Sequence, residues 1–86
     1  MPATVRMYCT RFCPYCVMAT RLLKAKGVAI EEIRVDSIPD RRTEMEQLSG
    51  RHTVPQIFIG DTHVGGFTDL ARLEREGRLD ELLAGC

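Results

Sequence analysis

The chain has no tryptophan, and two tyrosines and three phenylalanines make its aromatic content only 6%. No apolar run approaches the roughly 20 residues that a membrane-spanning helix needs. The first ten residues, MPATVRMYCT, also lack the long apolar core of a signal peptide. Twelve basic residues balance twelve acidic ones without a basic cluster, so nothing indicates binding to nucleic acid or to a membrane surface. We therefore expect a cytoplasmic protein.

The composition is that of a small globular protein with a thin core. With 86 residues, of which 44% are hydrophobic and 28% charged, we expect one domain spanning residues 1–86. The chain does contain four cysteines. Because reducing systems keep structural disulfides rare in the cytoplasm, we expect these thiols to be reactive, metal-binding or inert.

Hydrophobic periodicity and turn residues divide the chain into alternating strands and helices. The predicted strands are 4–8, 28–35, 56–59 and 62–64. The predicted helices are 14–26, 39–49 and 69–76, with a last helical turn or two at 79–83. In the second helix, Met45 and Leu48 are expected to face inward. The order β-α-β-α-β-β-α predicts an α/β fold in which three or four helices flank a four-stranded mixed sheet.

The most informative motif is Cys13-Pro14-Tyr15-Cys16. A Cys-x-x-Cys pair near a βαβ pattern is typical of a redox-active dithiol. If the helix begins at Pro14, Cys13 is its N-cap, and unpaired N–H groups and the helix dipole would lower the pKa of its thiol. Cys16 would lie one turn inside the helix, where burial raises a thiol pKa. We therefore expect Cys13 to attack and Cys16 to resolve.

A low thiol pKa mainly improves the thiolate as a leaving group. A pKa of about 5 would raise the thiolate fraction at neutral pH roughly 30-fold. Intrinsic nucleophilicity falls by a similar factor of roughly 30 to 40. The pattern therefore favours a protein that passes a disulfide onward.

A zinc site is the alternative interpretation of the cysteines. Cys9, Cys13 and Cys16 with His52 or His63 would supply four ligands. However, the C-x3-C-x2-C spacing lacks the paired arrangement of structural zinc sites. We therefore expect no metal.

Three segments occur in order that together closely resemble dithiol glutaredoxins, in particular the bacterial glutaredoxin 3 type. They are Cys13-Pro14-Tyr15-Cys16, the stretch TVPQIFI at 53–59 and the stretch GGFTD at 65–69. The resemblance extends from Met7 to Leu83. It implies a thioredoxin fold with a cis Val54–Pro55 bond, although only about 5–6% of X-Pro bonds are cis in general.

The resemblance also implies a groove for glutathione, which would be a co-substrate and not a permanently bound cofactor. The Val54 backbone would hold the cysteinyl part, as in strand addition. The start of the last main helix would receive the γ-glutamyl carboxylate, and Asp69 would pair with the ammonium group. For Thr68 and Asp69, helix capping is the simpler interpretation. The implied glutathione-binding residues are Arg11, Tyr15, Arg42, Thr53, Val54, Pro55, Gly66, Phe67, Thr68 and Asp69.

One position departs from the family pattern. Relatives often have lysine three residues before the first motif cysteine, where this chain has Thr10. Either Arg11 substitutes for that lysine or one charge contact with glutathione and the thiolate is missing. Arg42 would bind the glycyl carboxylate, with a solvated charged face as its alternative role.

The remaining cysteines and histidines have simpler interpretations. Cys9 is expected to be a small packing residue at a strand end, with a regulatory second disulfide as the alternative. Cys86 is expected to be an incidental exposed thiol at a frayed terminus. His52 and His63 are expected to be solvated.

The resemblance implies a monomeric, glutathione-dependent oxidoreductase that reduces protein disulfides and glutathionylated proteins, with ribonucleotide reductase as a further electron acceptor. One alternative is an iron–sulfur carrier in which two chains share a cluster, although Pro14 and Tyr15 argue against it. Another is a carrier that thioredoxin reductase reduces without glutathione. Such relatives lack the Gly-Gly-x-Thr-Asp type of pocket.

Overall fold

A computed structural model of the chain describes residues 3–84. Cys86 lies outside these residues, so its expected exposure stays a prediction. The helices and strands follow in the order β1 (Val5–Cys9), α1 (Pro14–Ala25), β2 (Ile30–Arg34), α2 (Pro39–Ser49), β3 (Gln56–Ile59), β4 (Thr62–Gly65), α3 (Phe67–Arg75) and α4 (Leu79–Leu83).

The predicted order of elements is confirmed, and the differences lie at their ends. Helix α3 begins at Phe67, two residues earlier than expected, because the Asp69 carboxylate accepts the Gly66 N–H at 3.0 Å and closes the first turn. Strand β2 is shorter than the predicted 28–35. Past its end, the Val35 N–H still donates to the Cys9 carbonyl at 2.9 Å.

The four strands form one mixed sheet in the order β2-β1-β3-β4. Strand β1 pairs parallel to β2 and antiparallel to β3, and β3 pairs antiparallel to β4. Because β1 is central, four of its five residues are buried. This buried strand leads directly into the turn that carries Cys13.

The core lies on both faces of the sheet. On one face, α1, α3 and α4 cover Val5, Met7 and Ile57. On the other face, Met45 of α2 is fully buried against Tyr8 and Phe58. The Tyr8 hydroxyl, at the far end of a buried ring, donates to the Glu44 carboxylate on α2.

The expectation that Leu48 faces inward is wrong. Its side chain is 52% exposed, and Met45 is the buried residue of α2. Helix α2 packs on the sheet through a narrow stripe of side chains, so the next apolar position, Leu48, stays largely exposed to solvent.

The longest helix, α1, has 12 residues. In residues 3–84, none of the helices has both the length and the apolar character required to cross a bilayer.

Candidate active site

Cys13 occupies the N-cap of α1, as the sequence predicts. Its backbone is extended, with φ −133° and ψ 99°, and Pro14 begins the helix. The Cys16 N–H donates to the Cys13 sulfur at 3.2 Å. The Cys13 carbonyl accepts the Val17 N–H at 3.1 Å. The sulfur of Cys13 therefore occupies the position at which a helix N-terminus stabilises an anion.

Cys16 lies one turn further along α1 and is 5% exposed. Burial raises the pKa of its thiol, and a hydrogen bond with Cys13 raises it further. The expected rise in the pKa of Cys16 is therefore confirmed, while the role of Cys13 as the attacking thiol stays a prediction. Both sulfurs are free thiols.

Next to the dithiol turn lies a groove of about 230 Å³, here called the first groove. The Tyr15 ring stacks on Phe67 with 6.5 Å between centroids, which joins the starts of α1 and α3 at this groove. The Val54–Pro55 bond is cis, as the resemblance implies. The first groove is lined by Tyr15, Arg51, Thr53, Val54, Pro55, Gln56, Gly66, Phe67, Thr68 and Asp69. Eight of these are among the ten residues predicted to bind glutathione.

The charged groups of the first groove are paired with each other. The Arg51 guanidinium lies 3.1 Å from the Asp69 carboxylate. The pKa of that carboxyl is lowered, first by the Gly66 N–H and then by Arg51. Asp69 therefore caps α3 and also lines the first groove, while its pairing with an ammonium group stays a prediction.

Gly65 makes this arrangement possible. Its φ of +114° disfavours any residue with a side chain. A Cβ at this position would overlap the Asp69 carboxylate and lie 3.0 Å from Arg51 Nη1.

Gln56 is a groove residue that the sequence reasoning missed. Its side chain is fully buried, and its amide donates to the Thr53 carbonyl at 3.0 Å. Its side-chain oxygen lies 2.8 Å from His63 Nε2. Because an amide oxygen only accepts, His63 Nε2 carries the proton. These hydrogen bonds tie residues 53–55 to strand β4. The sequence signal for this role of Gln56 was a glutamine in an otherwise apolar strand.

The histidines differ from one another. His63 is half-buried against Phe58, with 4.9 Å between ring centroids, so its expected solvation is wrong. Burial lowers the pKa of its imidazole. His52 is exposed, as expected, and lies 3.3 Å from Glu46.

Two predicted residues do not line the first groove. The Arg42 guanidinium donates to the His52 carbonyl at 3.1 Å. The Arg11 guanidinium lies over the Phe12 ring, 5.3 Å from its centroid. The cation that does line the groove is Arg51, which the sequence reasoning missed although it lies two residues before Thr53.

A larger groove of about 330 Å³, here called the second groove, begins at the dithiol and is lined by Cys9, Cys13 and Cys16. No described residue lines both grooves. Cys9 is 4% exposed at the end of β1, which confirms its packing role. Burial raises the pKa of its thiol. Within residues 3–84, no three histidine, cysteine or acidic side chains are arranged to hold a metal ion.

Comparison with known proteins shows the family. The family model described as Glutaredoxin matches residues 5–64. A protein named Glutaredoxin from Neisseria meningitidis is 67% identical over 81 residues, covering 93% of this chain and 95% of the relative. Glutaredoxin 3 from Escherichia coli is 48% identical over 81 residues, covering 94% and 98%. The crystal structure of a buckwheat glutaredoxin–glutathione complex matches with a TM-score of 0.88 and 28% identity, covering 98% of this chain and 79% of that one.

These likenesses confirm the thioredoxin fold. The chain belongs to the glutaredoxin family of thiol–disulfide oxidoreductases.

Proposed function

We propose that this chain is a glutathione-dependent disulfide oxidoreductase in which Cys13 is the nucleophile and the first groove binds glutathione. The observation that carries the proposal is the N-cap position of Cys13, with the Cys16 N–H on its sulfur at 3.2 Å. A groove containing a carboxylate and a guanidinium begins at Tyr15, two residues along the chain. The buckwheat relative whose structure is a glutathione complex supports the choice of ligand.

The first groove matches the chemistry of the γ-glutamyl end, which carries both an ammonium and a carboxylate. Asp69 would pair with the ammonium group, and the Arg51 guanidinium beside it would bind the carboxylate. Val54 belongs to neither α2 nor β3, so its backbone is available to the cysteinyl part of the ligand. Thr53, Pro55 and Phe67 would form the walls.

The glycyl carboxylate needs a further cation. Arg42 lies on α2, and its guanidinium donates to the carbonyl of His52. His52 directly precedes Thr53, which lines the first groove. Arg11 approaches from the other side of the dithiol. We propose that Arg42 binds the glycyl carboxylate and that Arg11 acts outside the glutathione site.

The reaction is a pair of thiol–disulfide exchanges. The Cys13 thiolate attacks the glutathionyl sulfur of a mixed disulfide, and the substrate leaves as a thiolate that takes a proton from water. A second glutathione thiolate then attacks the glutathionyl sulfur bound to Cys13. Oxidised glutathione forms and the Cys13 thiolate is regenerated. The disulfide bond thus passes from the mixed disulfide to oxidised glutathione, and one further glutathione molecule is consumed.

Cys16 serves a second route. When Cys13 carries a polypeptide, Cys16 attacks the Cys13 sulfur, the polypeptide thiol leaves, and a Cys13–Cys16 disulfide forms. Because burial raises the pKa of the Cys16 thiol, it must lose its proton as it attacks. Its position within hydrogen-bonding reach of Cys13 compensates, since the attack is intramolecular.

The reaction requires a pool of reduced glutathione, which the cytoplasm maintains. We therefore propose that the protein acts in the cytoplasm. We also propose that it is a monomer with a single domain. Its electron acceptors would be disulfide-bonded and glutathionylated proteins, ribonucleotide reductase among them.

The test is reduction of the mixed disulfide between glutathione and 2-mercaptoethanol, coupled to glutathione reductase and NADPH. We expect activity in the wild type, none in Cys13→Ser, and full activity in the control Cys9→Ala. Cys9 is equally buried but lies outside the proposed chemistry. Activity that survives in Cys13→Ser would refute the proposal.

A further inference from the structure

The second groove extends from the dithiol along α1, away from the glutathione site. Cys13 and Cys16 lie at one end of it, and Val17, Arg21 and Lys24 follow on the same face of the helix. Their spacing of three and four residues places these side chains in one row. A chain attached to the Cys13 sulfur therefore has a ready path along α1.

The second groove is strongly cationic in a chain whose net charge is zero. Four cations line it, namely Arg11, Arg21, Lys24 and Arg34, against the single carboxylate of Glu32. Arg34 is paired with Asp36. Within residues 3–84, the charged groups of Arg11, Arg21 and Lys24 have no carboxylate within ion-pair distance.

Apolar surface accompanies these charges. Phe12, directly before Cys13, is 86% exposed, and Val17 is 53% exposed. The first groove, in contrast, has its one cation and its one carboxylate bound to each other. Unpaired cations beside exposed apolar side chains fit a polypeptide with acidic side chains better than they fit a zwitterion.

We propose that the second groove binds the polypeptide half of a disulfide substrate, and that it selects segments with acidic residues next to the reacting cysteine. This inference rests on the proposed role of Cys13 as nucleophile. The Cys13 thiolate attacks the polypeptide sulfur, the partner sulfur leaves as a thiolate, and the attached segment lies along α1. Cys16 then displaces it by attack on Cys13.

The test uses two peptides of equal length with a central cysteine, one flanked by glutamates and the other by lysines. Each is supplied as a mixed disulfide with thionitrobenzoate, whose release at the first exchange is coloured. For the reduced wild-type chain at low ionic strength, we expect the acidic peptide to react about tenfold faster. A tenfold ratio corresponds to about 1.4 kcal/mol, which two exposed ion pairs are sufficient to supply.

The variant Arg21→Gln/Lys24→Gln should bring the two rates together. Both side chains are exposed, so the fold should survive. The control Arg75→Gln/Arg78→Gln removes the same charge from α3 and the start of α4, away from both grooves, and should keep the wild-type ratio. In 1 M salt, where the Debye length is about 3 Å, the ratio should also fall towards one.

Equal rates for the two peptides in the wild type would overturn the proposal. So would a ratio that persists in Arg21→Gln/Lys24→Gln, or one that the control loses equally. The assay contains no glutathione, so a failure of the glutathione site leaves this result unchanged. A Cys13→Ser chain that releases thionitrobenzoate as fast as the wild type would instead refute the nucleophile itself.

Discussion

The two grooves on either side of the dithiol turn use charge in opposite ways. In the first groove, Asp69 is held by the Gly66 N–H and by Arg51, so the charges are fixed before any ligand arrives. In the second groove, Arg21 and Lys24 are exposed cations on a helix surface. The difference indicates one site preorganised for a small ligand of fixed shape and one that adapts to varied chains.

The two grooves also differ in what supports them. The first groove rests on the buried Gln56 amide and on backbone turns at Gly65 and Val54. Such a site loses its geometry when one support changes. The second groove rests on the regular geometry of α1 and β2, so single surface substitutions should change its charge and leave its shape.

The largest effect that separates the two grooves should come from Cys16→Ser. Reduction of a small glutathione mixed disulfide needs only Cys13 and should be retained. Reduction of a polypeptide disulfide should fall about 100-fold or more, because attack from within the chain is replaced by a bimolecular reaction. Parallel assays with the two substrates measure how much the two losses of activity differ. Equal losses for both substrates would contradict the division of roles.

Gly65→Ala should damage the first groove alone. The residue has φ +114°, and its new Cβ would displace the Asp69 carboxylate. We expect a loss of about 1–3 kcal/mol in the free energy of unfolding. We also expect roughly a tenfold rise in KM for the glutathione mixed disulfide, since a charge-assisted contact is lost.

The matched control for Gly65→Ala is Gly27→Ala, where φ is +77° but no atom lies within 4 Å of the added Cβ. It should lose stability, by about 1 kcal/mol, with an unchanged KM. Reaction rates with the acidic peptide should be unaffected in both variants. A KM that rises equally in both would show that general destabilisation is the cause.

The smallest effect should be the pH dependence of the Asp69 pairing. Its pKa is lowered in the folded chain, so its stabilisation is present above the unfolded value of about 3.9 and is lost as pH falls through the folded pKa. Asp69→Asn removes the charge and keeps an oxygen for the Gly66 N–H. The Tm difference between wild type and Asp69→Asn should be constant above about pH 5 and shrink below pH 4.

The expected size of this pH-dependent stabilisation is under about 1 kcal/mol, because the pair with Arg51 is exposed. The same variant should weaken glutathione binding at neutral pH without altering the peptide ratio of the second groove. A Tm difference that grows as the pH falls would contradict the assignment.

The dithiol and most of the first groove were predictable because their signals are local. A cysteine before Pro14 at a helix start defines an N-cap, and Gly-Gly followed by Thr-Asp defines the start of α3. Arg51, Gln56 and the environment of His63 were not predictable in this way. Arg51 acquires its role from Asp69, 18 residues away, and Gln56 and His63 bond to each other across the β3–β4 pair, 7 residues apart.

The same limit applies to Leu48, whose expected burial is wrong, and to Arg11, which does not line the first groove. Leu48 follows Met45 at helical spacing, yet only the width of the contact with the sheet decides how much of a helix face is covered. Arg11 and Arg42 are cations near the dithiol in sequence or by resemblance, but the turn before α1 directs Arg11 towards Phe12 and away from the first groove.

By itself, the sequence determined the order of strands and helices, the N-cap thiol and the family, because periodicity, capping and short motifs act over one or two helical turns. Only the tertiary structure decided which charges are paired and which are unpaired, and hence that two grooves of different charge lie on either side of the dithiol turn. The pair of Arg51 and Asp69 depends on a distance of 3.1 Å between side chains 18 residues apart, and packing alone sets that distance.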